Sequence, residues 1–165
     1  MMTGSHHLYN YLPTKHEKWL TMIKQEIIDS GLIVDILNAK TMEDVFRLLQ
    51  GCSFLGSFLA YQYTIDMNYS PYINFSENDF VKAGIGAIRG IKKCFLCYGN
   101  KCEDAIWYVK EHFNDLQKRY GYTSFHPLLG HEPTLIDLQN CFCETDKYLR
   151  AKMPELRIGN VRIKQ

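Results

Sequence analysis

The chain of 165 residues has no apolar run near the roughly 18 residues that a membrane-spanning helix needs. Its longest apolar stretch, Phe54 to Ala60, is interrupted by Gly56 and Ser57. No basic flank leads into an apolar segment at the N-terminus, so nothing there reads as a secretory leader. Gly-x-x-x-x-Gly-Lys-Ser/Thr is absent, which excludes a phosphate-binding loop of that type. No alternation of strand and helix patterns appears, which excludes a Rossmann-like sheet. Repeats and low-complexity tracts are also missing. Net charge is +1, too small to make the whole chain a polycation for nucleic acid.

The charge that is present is unevenly placed. Residues 1–81 hold 5 basic and 9 acidic residues, a balance of −4, while residues 82–165 hold 14 and 9, a balance of +5. Lys82, Arg89, Lys92 and Lys93 follow one another with no acid between them. A local patch of this kind binds phosphate even on a neutral chain. Read by itself, the same run also fits a solvated helix face.

The periodicity is helical throughout, and predicts an all-α chain. Thr14-Lys15-His16-Glu17 has the form of a capping box, followed by Trp19, Leu20, Ile23, Ile27 and Ile28 at helical spacing. Thr41 opens a second helix with the face Met42, Val45, Phe46 and Leu49. A third, over about Phe54 to Met67, is apolar on nearly every side and predicts a buried central helix. A short helix is expected after the cap Ser76-Glu77-Asn78-Asp79, broken by Gly84-Ile85-Gly86 and resumed at about Ala87. Two more follow, over Glu103 to Tyr120 and after Thr134 and Asp137. Residues 1–152 read as one helical domain and 153–165 as a basic tail, a small hairpin or an arm.

Two segments carry the pattern of a site. Two short helices joined by Gly84-Ile85-Gly86 have the layout of a helix-hairpin-helix. Glycines let a ligand approach the backbone, and the second helix offers free N–H groups to an anion such as a DNA phosphate. Gly90, one turn on, permits close helix packing, and Lys82, Arg89, Lys92 and Lys93 stand ready to add phosphate contacts. A purely structural turn is the competing reading. Further along, Asp137, Asn140, Glu144, Lys147 and Tyr148 recur at steps of three and four, so they share one helix stripe. Such a set supplies a general base and its orienting partners, or simply an exposed face with charge pairs.

Cys94-x-x-Cys97, with Cys102 and Cys143, resembles part of a zinc site, but no second Cys-x-x-Cys or His-x-x-x-His completes it. The thiols therefore read as buried or inert, with no metal and no cofactor expected. His6, His7 and His16 read as exposed, and His126 and His131 flank a loop before the last helix.

The order Phe54-Leu55-Gly56-Ser57-Phe58-Leu59-Ala60-Tyr61-Gln62-Tyr63, Asp66, Glu77-Asn78-Asp79-Phe80, Gly84-Ile85-Gly86-Ala87, Gly90-Ile91, Leu135-Ile136-Asp137-Leu138-Gln139-Asn140, Cys143-Glu144 and Lys147-Tyr148 is familiar. Over about residues 40–152 it resembles the helical domain linked to phage 5-hydroxymethyluracil DNA kinases. It is similar in turn to the amino acid:DNA transferases, the alpha-glutamyl/putrescinyl thymine pyrophosphorylases. The resemblance implies a DNA-glycosylase-like all-helical fold in the hypermodification of thymine in DNA. There, phosphorylated or pyrophosphorylated hydroxymethyluracil is attacked by an amine. It implies that Gly84, Gly86 and Gly90 seat a DNA phosphate, and that Asp137, Asn140, Glu144 and Lys147 line a base pocket with catalytic roles. It further implies that Tyr61, Tyr63 or Tyr69 stacks against an extruded base. In helix-hairpin-helix glycosylases the catalytic Asp lies about one helix after the hairpin, where Asp104 stands here.

The resemblance also implies DNA as partner, a separate kinase, no membrane, and the cytoplasm of a phage-infected or bacterial cell. Family members carry a longer helical region ahead of this point, so the chain reads as lacking an N-terminal segment. Two other readings stay open: a non-catalytic DNA-binding module beside a kinase, and a structural domain.

Overall fold

Thr14 accepts a hydrogen bond from the Glu17 N–H while the Glu17 carboxylate accepts one from the Thr14 N–H at 3.1 Å. This pairing starts α1, Lys15–Met22, as the sequence predicts. The computed structural model describes residues 4–122 and 130–156, and among them every regular element is helical. None of these helices is long and apolar enough to cross a membrane. The chain divides into two compact units, residues 1–80 and 81–165. Residues 157–165 of the expected basic tail lie outside the described residues. Only a short 3₁₀ turn, Pro154–Leu156, closes the visible chain.

In the first unit α1 continues as a π-helical segment, Ile23–Asp29. Its wider turn takes the chain off the 3.6-residue repeat. Trp19 and Met22 are buried, but Leu20 and Ile28, expected on the same face, are exposed. Gly31, at φ 81°, makes the left-handed link into α2, Leu32–Leu37. A second reciprocal cap, Thr41 with Asp44, opens α3, Met42–Gln50, whose predicted face Met42, Val45, Phe46 and Leu49 is buried in full.

The next helix, α4, runs from Ser57 to Asn68, three residues later than its apolar run suggests. Phe54 delays it. This residue takes a left-handed φ of 66°, and its ring packs on Trp19, Tyr9 and His6 with centroids 5.3 to 5.5 Å away. Beside it, Glu26 accepts from the Tyr9 hydroxyl and the Ser53 N–H, both at 2.6 Å. Burial works against the charge on Glu26, yet these donors hold its carboxyl below the usual range. Burial with Glu26 nearby also pushes the Cys52 thiol up to about 11.

The expectation of a helix buried on nearly every side is corrected for α4. Ser57, Ala60, Tyr61, Thr64, Ile65 and Asn68 are buried on a single stripe, and Phe58 is half exposed. Asn68 then uses both ends of its amide on Phe75, donating to its carbonyl at 3.0 Å and accepting its N–H at 2.8 Å.

The short helix expected after Ser76 does not form. Ser76 instead closes a turn, accepting from the Asn78 N–H with its hydroxyl and from the Asp79 N–H with its carbonyl. In the second unit the chain starts extended, with Val81 and Ala83 buried and Lys82 between them half exposed. It then enters α5, Ile85–Cys94. The helix expected over 103–120 is two, α6 at Glu103–Glu111 and α7 at Phe113–Arg119. They break at His112, whose Nδ1 lies 2.9 Å from the Tyr108 carbonyl oxygen and whose ring stacks on Tyr108. The longest helix, α8 at Leu135–Lys152, packs along α5 and α6.

Candidate functional site

With no helix before Gly84, the layout drawn from the sequence as a helix-hairpin-helix is an extended strand of chain feeding one helix. The two amides just ahead of that helix are already engaged. The Ala83 N–H donates to Glu103 at 3.1 Å, and the Gly84 N–H donates to the buried Gln139 at 3.2 Å. Gly86 and Gly90 face α8. A Cβ on Gly86 would overlap Cys143 Sγ, and one on Gly90 would overlap the Phe142 carbonyl oxygen and sit 2.8 Å from its carbon. The close approach that these glycines permit is made by a neighbouring helix.

The four basic residues separate. The side chain of Lys93 is buried and forms an ion pair of 2.7 Å with Asp146, so its ammonium does not stand on a phosphate-facing surface. Lys82 is half exposed and pairs with Glu103 at 2.9 Å. Arg89 is half buried and Lys92 is exposed.

Burial alone would raise the Glu103 carboxyl, but Lys82 and the Ala83 N–H outweigh it and hold the group below its ordinary 4.5. A depressed folded value contributes stability that is present above the unfolded value and lost as pH falls through the folded one. Wild-type protein should therefore lose melting temperature on acidification below about pH 4.5 more steeply than Glu103→Gln. Parallel curves for the two proteins between pH 3 and 6 would remove Glu103 from this role.

Along α8 the predicted stripe is intact as geometry, and all of it faces solvent. Asp137, Asn140, Glu144, Lys147 and Tyr148 are exposed. Asp137 caps the helix, accepting the Thr134 N–H at 2.9 Å and its hydroxyl at 3.0 Å. Asn140 accepts from Gln139 at 2.8 Å, and Glu144 pairs with Lys147. Asp104, in the first turn of α6, accepts the N–H groups of Asn100 and Lys101 in the loop ahead of the helix.

Of the three tyrosines, Tyr61 is buried edge-to-face against Phe80, with centroids 5.8 Å apart, which withdraws its ring from an incoming base. Tyr63 is half buried and Tyr69 exposed. Among the described residues no group of His, Cys, Asp and Glu is arranged to hold a metal, and all six cysteines are free thiols. His131 is exposed, and His126 lies outside the described residues.

Two features escaped the sequence. One is the buried polar layer of the second unit: Lys93 with Asp146, and Gln139 beneath Gly84. Asp146 also takes Arg150 Nε at 3.2 Å on its second oxygen. The other is a cavity of about 1010 Å³ where the end of α5 meets α6, α7 and α8. Its walls are mainly apolar and aromatic, including Phe95, Tyr108, Tyr120 and Phe142, with Asp104, Gln117, Arg119 and Thr145 as polar points.

A family model for the helical domain of 5-hmdU DNA kinase matches residues 1–158. The chain belongs to that family. The match reaches 40 residues further toward the N-terminus than the sequence likeness, and so takes in α1 and α2. No curated protein and no solved structure matches the chain. Within the 5-hmdU DNA kinase helical domain, the buried Lys93–Asp146 pair and the aromatic cavity are neighbours in sequence. Cys94 and Thr145, the residues next to the pair, both line the cavity. The one signal that pointed there was Cys94-Phe95-Leu96-Cys97, an apolar run at the end of a basic helix.

Proposed function

We propose that this domain is the part of a 5-hmdU DNA kinase that holds DNA, without itself carrying out a group transfer. The observation that carries the reading is the family match over residues 1–158, since the family is that of a kinase acting on a base within DNA. The charge supports it: the surplus of +5 is gathered in residues 82–165, the half of the sequence that holds Arg89, Lys92, Lys118 and Arg119. The α8 stripe favours holding over catalysis. Asp137 is spent on a helix cap, and Glu144 forms an exposed ion pair with Lys147. The readings of Asp137, Asn140, Glu144 and Lys147 as catalytic, and of Gly84, Gly86 and Gly90 as phosphate ligands, give way to side-chain contacts from Arg89 and Lys92 on α5.

Fluorescence anisotropy with duplex DNA carrying 5-hydroxymethyluracil, run across a salt series, tests this. Binding should weaken as salt rises, and Lys92→Glu should lower affinity and reduce the salt slope by about one counterion. Gly86 is a poor probe, because any side chain there strikes Cys143. Absence of salt-dependent binding by the wild-type chain would dismiss the reading.

A further inference from the structure

We infer that the aromatic cavity between the end of α5 and α6, α7 and α8 receives a pyrimidine nucleotide turned out of the DNA stack. The inference rests on the DNA-holding reading. The cavity, about 1010 Å³, lies at the upper end of the roughly 300–1,000 Å³ usual for small-ligand sites. That volume takes a base with its sugar, where a pocket for a lone pyrimidine would be smaller. Its rings suit a base. Tyr120 and Tyr122 are 67% and 68% exposed, so their faces are open to a ligand rather than spent in the core, while Tyr108, 43% exposed, already stacks on His112. Tyrosine gives a flat face for stacking and a hydroxyl that keeps the edge of the site wet, the combination that binds bases with little regard to sequence.

The polar points complete the argument. Gln117 offers a donor and an acceptor, as the edge of a pyrimidine requires, and Arg119 places a cation at the wall for the phosphate that follows the base, while the carboxylate of the lining, Asp104, is taken up by the Asn100 and Lys101 N–H groups. The net +5 of residues 82–165 complements a polyanion. Nothing is transferred in this step: the site binds and presents the base.

The cavity carries its own reporters. Cys94, Cys97 and Cys141 line it, and all three are exposed thiols. Cys102 and Cys143 lie outside the lining and serve as internal references. The rate of N-ethylmaleimide labelling at each cysteine is read by mass spectrometry on the full chain. Three states are compared: alone, with a duplex bearing one unpaired 5-hydroxymethyluracil, and with 5-hydroxymethyl-2′-deoxyuridine as free nucleoside.

The expected result is slower labelling of Cys94, Cys97 and Cys141 in both occupied states, with Cys102 and Cys143 unchanged. Tyr120→Ala, at an exposed position, should weaken the protection about tenfold, as removal of a stacking ring does. Labelling that stays unchanged while anisotropy shows the duplex bound would overturn the cavity and leave the DNA reading standing. Protection by the nucleoside without any binding of the duplex would support the cavity and dismiss the DNA reading. Protection by neither overturns the inference.

Discussion

Asp146→Ala is expected to cost about 3–5 kcal/mol, the usual result of removing one partner from a buried ion pair. The reason is the residue left behind. The side chains of Lys93 and Asp146 are 3% and 2% exposed and stand 2.7 Å apart, bridging α5 and α8 across 53 residues of sequence. With Asp146 gone, the Lys93 ammonium loses its partner and has no water close at hand. Arg150 also loses a contact, but about half of its side chain reaches solvent, so its share of the cost is small.

For a chain of this length, each kcal/mol moves the melting temperature by roughly 2–4 °C, so the fall should be about 10 °C. The double variant Lys93→Met, Asp146→Leu separates a lost attraction from a stranded charge. Apolar residues of similar volume often replace a buried pair at little or no cost. The double variant should therefore recover most of what the single one loses. A double variant as unstable as Asp146→Ala would mean that the site depends on the pair itself.

What was legible in the sequence was local. Thr14 with Glu17, Thr41 with its face Met42, Val45, Phe46 and Leu49, and Thr134 with Asp137 are all settled within a few residues, and each stands in the structure. What was not legible depends on distant partners. Ser76-Glu77-Asn78-Asp79 has the letters of a helix cap, but a cap starts a helix only if the next residues profit from one. Here Val81 and Ala83 gain more by alternating into the core, where Glu103 and Gln139 supply acceptors for the extended backbone.

Lys93 shows the same limit for the candidate site. Its place in a basic run suggested a phosphate ligand, and only Asp146, 53 residues away, reveals a buried charge. The cavity draws on four helices, so no single segment announces it. A solvent-facing stripe such as Asp137 to Tyr148, by contrast, looks the same in sequence whether it works or merely dissolves.

Gly90→Ala gives the second large effect, and it decides what the glycine pattern means. A missing Cβ says that something comes close; it does not say whether that is a phosphate or a helix. Here the added methyl would overlap the carbonyl oxygen of Phe142 and stand 2.8 Å from its carbon. That neighbour is backbone in the middle of α8, which cannot swing aside as a side chain does. The helices must separate instead, and overpacking of this kind costs about 1–3 kcal/mol or more.

At Gly86 the obstacle is the Cys143 thiol, which Cys143→Ala removes. Gly86→Ala should therefore be rescued by Cys143→Ala, while Gly90→Ala should gain nothing from truncating Phe142, because the clash is with its main chain. Thermal melts of these four proteins read the difference. Gly90→Ala with wild-type stability but weakened DNA binding would return Gly90 to the role of a phosphate seat. Lost stability that Phe142→Ala does not restore assigns it to the crossing of α5 and α8.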